Sequence, residues 1–202
     1  YDRMVLLFPD KVESYVERAE ARDAAGQHDA ALADLGVAIG KEPGNVYART
    51  TRVRIYSSLL KRDEALADAR ELVKLKPDDA TAHVLLANIL AVMGQRDEAL
   101  AESTKSIAIE PSGDAYNVRL RWNLRPAAKD QLEDVLGQIK TEPDRDVPLA
   151  VLRKMVADPA AKTAILAAYD KEIAADPAAE GIAPRRAMVE AVAGNGKALF
   201  PL

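Results

Sequence analysis

Few residues in this chain have the types and spacing that chemistry needs. Two histidines, His28 and His83, stand in different stretches, so they cannot supply the spaced ligands of a metal site. Ser58-Leu59-Leu60-Lys61 spells S-x-x-K, the spacing at which a lysine can activate a serine nucleophile. Its companion motifs S-D-N and K-T-G are absent. Gly194-Asn195-Gly196-Lys197 has the composition of a phosphate loop but not the G-x4-G-K-[ST] spacing, and it reads as a helix stop. Asp78-Asp79 and Asp144-Arg145-Asp146 offer neighbouring carboxylates, yet aspartate is also the ordinary residue of turns. Cysteine is absent, which removes thiol nucleophiles, disulfides and zinc-thiolate centres. No catalytic residue, metal or cofactor is expected.

The composition points to a folded chain with a charged surface. Of 202 residues, 49% are hydrophobic and 30% charged, while aromatics make up only 4%, so Ala, Leu, Val and Ile must build the core. A net charge of -4 disfavours a nucleic-acid partner. No run reaches the ~20 apolar residues of a membrane span. The chain opens YDRMVLLFPD, without a Met start, and reads as cut from something longer; its compartment is unknown. Its alanine-rich helices suggest a bacterial source.

The positive signal is a period. RDEALA occurs at Arg62–Ala67 and again at Arg96–Ala101, 34 residues on. Pro9, Pro43, Pro77 and Pro111 keep the same spacing of 34, Pro143 follows after 32 and Pro177 after another 34. That period predicts an array of helix pairs. Apolar residues recur at helical spacing after each proline: Tyr15 and Ala19; Val53, Ile55 and Tyr56; Leu86, Ala87, Ile89 and Leu90. A tight turn follows, with Gly26 and Gly94 as helix-ending residues that tolerate positive φ. A second amphipathic helix comes next, opened by Asp29, Asp63 or Asp97, where a carboxylate favours a helix start. Small residues recur where helices must approach closely: Ala19, Val53 and Ala87 on the first helices, Ala31, Ala65 and Ala99 on the second.

These residues resemble the tetratricopeptide repeat (TPR) family, strongly over 1–113 and weakly over 114–177. Arg18 and Arg52 depart from its pattern at a usual leucine site, and Arg22 at a usual tyrosine site. There the stems would pack while the charged heads reach water. The resemblance implies an all-α fold: a right-handed superhelical α-solenoid of antiparallel helix pairs. Residues 1–11 would end a preceding unit, and 12–45, 46–79 and 80–113 would be three full repeats. Residues 114–143 would be a shortened repeat, 144–177 a divergent helix pair, and 178–202 a capping helix with a tail.

The resemblance also implies a function, since first helices of the family line a concave groove for a peptide or partner helix. Groove residues would include Glu13, Val16, Glu17, Glu20 and Asp23, then Tyr47, Thr50, Arg54 and Ser57, then Thr81, Val84, Asn88 and Ala91. In the fourth unit they would be Val118, Arg119, Trp122 and Arg125. Such a groove is acidic at one end and basic at the other, with Trp122 and Arg125 as anchor. Alternatively, Glu20 and Arg54 pair with each other, and Trp122 packs in the core. The Lys and Asn residues of a chaperone-tail carboxylate clamp are missing. The expected activity is a protein-interaction scaffold without catalysis in this segment. The alternatives are an accessory helical domain of a larger enzyme, or a self-assembly module using an apolar end at Met4, Val5 and Leu7.

Overall fold

A computed structural model describes residues 1–125 and 127–194. The expectations placed on Pro126, on Asn195–Lys197 and on the tail to Leu202 lie outside the described residues. Among the described residues the chain is all-α, with twelve helices and no strand. Unit 1, Tyr1–Gly94, and a second compact unit from Gln95 onward each have their own core.

Unit 1 holds α1 (Asp2–Leu7), α2 (Val12–Ala24), α3 (His28–Lys41), α4 (Val46–Ser58), α5 (Arg62–Leu75) and α6 (Ala80–Val92). Unit 2 holds α7 (Arg96–Ile109), α8 (Gly113–Arg121), α9 (Ala128–Thr141), α10 (Leu149–Val156), α11 (Pro159–Ala175) and α12 (Ile182–Ala193). Short turns make sequence neighbours antiparallel, as in α2 with α3 and α4 with α5.

The punctuation of the sequence explains the helix ends. α1, α3, α5, α7, α9 and α11 each stop two residues before one of the periodic prolines. A proline lacks the N–H for a further helical bond and disfavours helix at the residue before it. Asn45, Asp79 and Ser112 then cap α4, α6 and α8 through side-chain oxygens. Within each pair, the turn needs one residue in the left-handed region. Gly26 and Gly94 supply it with φ of 75° and 78°, and Leu60 takes the equivalent place with φ 57°. Asp29, Asp63 and Asp97 lie in the first turn of α3, α5 and α7, favourably placed against the helix dipole.

Ala19, Val53 and Ala87, and likewise Ala31, Ala65 and Ala99, are almost wholly buried. Such burial agrees with the small-residue pattern of the sequence. One unit 1 core joins Val16, Ala19, Ala31, Leu35, Ala38, Ala48 and Ile55. The unit 2 core uses larger side chains, among them Leu120, Ile139, Leu152, Ile165 and Tyr169. At the start of the chain Val5 is buried, while Leu6, Leu7 and Phe8 are exposed.

Candidate partner-binding groove

The helical period decides which side chains of α2 share a face. Glu13, Val16, Glu17 and Glu20 fall at spacings of three and four, so they form one stripe. Val16 is buried, with 4% of its surface exposed, and floors the stripe; Glu13 and Glu17 stand out into solvent. The opposite wall comes from the start of α4. Asn45 caps that helix, and Tyr47 in its first turn keeps 60% of its surface exposed. Glu13, Val16, Glu17, Glu20, Asn45 and Tyr47 together line an open cavity of about 370 Å³.

Polar contacts inside the cavity are unequal. The Tyr47 hydroxyl donates a hydrogen bond to Glu20 Oε1. That bond, with the negative charge behind it, pushes the Tyr47 hydroxyl pKa above its ordinary value, while Arg54 pulls it down. Glu13 and Glu17 have no hydrogen-bond or ion-pair partner among the described residues. Arg54 is exposed and Asn88 on α6 is half-buried. Asp23, at the end of the same stripe, is held by His28 Nδ1 at 2.7 Å.

The basic residues expected at the other end of the groove sit differently. Arg119 on α8 is buried in unit 2 and bonds Asp134 at 3.0 Å, Thr104 Oγ1 at 2.6 Å and Ser103 Oγ at 3.3 Å. Arg125 contacts Asp130, Glu133 and Asp134, each near 3 Å. Burial pushes the Asp134 carboxyl up, against the pull of these two guanidiniums. Trp122 caps the end of α8, half-buried, and its carbonyl accepts from Arg96. The expected free basic anchor is thus an internal ion cluster that ties α7, α8 and α9 together.

The same device corrects the reading of Arg18, Arg22 and Arg52. Their heads do not simply reach water. Arg18 forks onto Asp34 at 2.6 and 2.8 Å, and Arg22 joins the same carboxylate at 2.7 Å. Arg52 forks onto Asp68 at 2.6 and 2.8 Å, with Arg49 on the same group at 2.9 Å. Asp34 and Asp68 are nearly buried and 34 residues apart, one per helix pair. Sequence reasoning missed these acids, although each follows its arginine by 16 residues. A second periodic contact also escaped it. Tyr15, Arg49 and His83 contact the carbonyls of Pro9, Pro43 and Pro77 at 2.8–3.0 Å. Three different side chains thereby satisfy the same backbone acceptor in successive repeats.

Among the described residues no cluster of His, Asp or Glu is suited to hold a metal ion. Nor, among the described residues, is any helix long and apolar enough to cross a membrane.

No family model and no curated protein sequence matches this chain. Solved structures do. YrrB, described as a TPR protein with an unusual peptide-binding site, aligns at a TM-score of 0.63 and 14% identity, covering 91% of this chain and 95% of its own. MamA aligns at 0.60 and 16% identity, covering 94% and 98%. TTC0263, a thermophilic TPR protein of Thermus thermophilus, aligns at 0.56 and 17%, covering 90% and 100%. At these identities the likeness shows the fold: the chain has the architecture of TPR proteins.

Proposed function

We propose that this chain, a TPR fold, is a protein-interaction module that holds a peptide or partner helix along the first-helix face of unit 1. Glu13, Glu17 and Glu20 on α2, Arg54 on α4 and Asn88 on α6 are its contact residues, and the segment carries no catalysis. One observation supports this above the others: the open cavity between α2 and α4, which no side chain of unit 1 fills. The description of YrrB as having a peptide-binding site agrees with it. Arg119, Trp122 and Arg125 hold unit 2 together in this reading rather than meeting the partner.

A random-peptide display selected on the whole chain tests the proposal. Selected peptides are expected to shift backbone amide resonances of α2, α4 and α6 in a ¹⁵N-labelled sample. Shifts confined to other helices would overturn the groove assignment.

One observation favours a second reading, that of an accessory helical segment of a larger enzyme. An O-GlcNAc transferase of Thermobaculum terrenum aligns at a TM-score of 0.54 over 63% of this chain but only 25% of its own. The intact mass of the native protein separates the two. A polypeptide close to 21.8 kDa excludes the enzyme reading.

A further inference from the structure

We infer that the α2–α4 cavity receives an arginine side chain of the partner segment, and that Tyr47 is the lid this arginine displaces from Glu20. The inference rests on the groove reading and adds the chemistry of the occupant.

The occupant follows from charge and shape together. The cavity walls carry three carboxylates and no cation, since Glu13, Val16, Glu17, Glu20, Asn45 and Tyr47 complete the lining. Several acidic groups elsewhere in unit 1 have intramolecular cations: Asp34 and Asp68 hold two arginines each, and Asp10 meets Lys41 at 3.4 Å. Glu13 and Glu17 have none among the described residues. They stand one helical turn apart, about 5–6 Å between Cβ atoms. A planar guanidinium with five donors can bridge two carboxylates at that separation, whereas an ammonium acts as a point charge. An exposed tyrosine ring on the facing wall suits a guanidinium that stacks. Arg54, exposed on α4, repels a second cation there and so fixes which way the segment runs.

Glu20 is the one acid of the three that is already engaged, by the Tyr47 hydroxyl. An incoming guanidinium that uses Glu20 must break that bond. The ring then remains as a stacking surface while the hydroxyl turns to water. Removing the hydroxyl alone therefore helps binding, and removing the ring hurts it.

The test titrates the ¹⁵N-labelled chain with a nine-residue Gly/Ser peptide carrying two central arginines, and with lysine, citrulline and glutamate versions of it. The arginine peptide is expected to shift α2 and α4 amides and to bind about tenfold tighter than the citrulline peptide, with lysine between. Glu13→Gln with Glu17→Gln, two exposed positions without partners, should lose about that tenfold at unchanged thermal stability. Tyr47→Phe should bind the arginine peptide about twofold tighter, and Tyr47→Ala more weakly, than the parent. Equal binding of arginine and citrulline peptides at α2 and α4 would sink the arginine assignment and leave the groove standing. If no peptide of any charge shifts those amides, both ideas fall. Weaker binding by Tyr47→Phe overturns the lid.

Discussion

A buried carboxylate is stable only with its cations, and the repeat shows how much the surroundings matter. Asp68 faces Arg49, which is itself buried, as well as Arg52. Removing the carboxylate strands a charge that cannot reach water, so Asp68→Ala should cost about 3–5 kcal/mol. Asp34 faces Arg18 and Arg22, whose side chains keep 17% and 26% of their surface exposed. Those heads can turn outward, and Asp34→Ala should cost only about 1–2 kcal/mol. Urea denaturation of the two variants checks the order. Tyr169 gives a prediction in pH. It is buried in the unit 2 core, and burial pushes its pKa up to about 12. The fold favours the neutral phenol, so this contribution is full below pH 10 and is lost as pH rises toward 12. Tyr169→Phe keeps the ring and removes that loss, which shows as a flatter stability profile between pH 10 and 12. Neither the acid–arginine pairs nor the proline-carbonyl contacts were legible at this scale. A sequence shows Arg18 at a leucine site, but the partner lies 16 residues on, across a turn, and only the packed pair brings it near.

Helices and turns were far more legible, because their signals are local. The period set by Pro9, Pro43 and Pro77 places second-helix ends, and Gly26 and Gly94 mark turns. Leu60 is the informative exception. No composition rule points to a leucine in the left-handed region, yet the repeat places one there because Gly26 and Gly94 occupy the equivalent positions. Its side chain is exposed and gains little in return. A left-handed non-glycine residue is strained by about 1–2 kcal/mol, partly offset because glycine frees the unfolded chain. Leu60→Gly should therefore stabilise the chain by about 0.5–1 kcal/mol, seen as a raised melting temperature. Gly94→Ala should destabilise by a similar amount. The groove was half legible on the same grounds. The acidic stripe of α2 follows from helical spacing, but Tyr47 bonding to Glu20 depends on how two neighbouring helices face each other.

At the scale of the whole chain, the two units solve the same burial problem with different materials. In one unit 1 cluster four of seven members are alanines, so that part of the unit leans on small residues and ion pairs, while Val53, Leu66, Leu72, Leu86, Ile89 and Leu90 are buried elsewhere in the unit. The unit 2 cluster contains no alanine among its fully buried members and removes more apolar area per side chain. Loss of the regular repeat after Pro111 therefore does not mean loss of a core. It means a core of larger aliphatic groups that no longer needs small residues at fixed spacing. Repeat arrays with unlike cores depart from all-or-none unfolding. Trp122, the one tryptophan of the sequence, lies in unit 2 and reports that unit, whereas far-ultraviolet circular dichroism reports every helix. At neutral pH the fluorescence midpoint in urea should lie above the dichroism midpoint. Above pH 10 the buried Tyr169 phenol weakens unit 2 more than the exposed Tyr47 hydroxyl weakens unit 1, so the gap should narrow. Coincident curves at both pH values would mean that the chain unfolds as one body, and the two-core account would then be wrong.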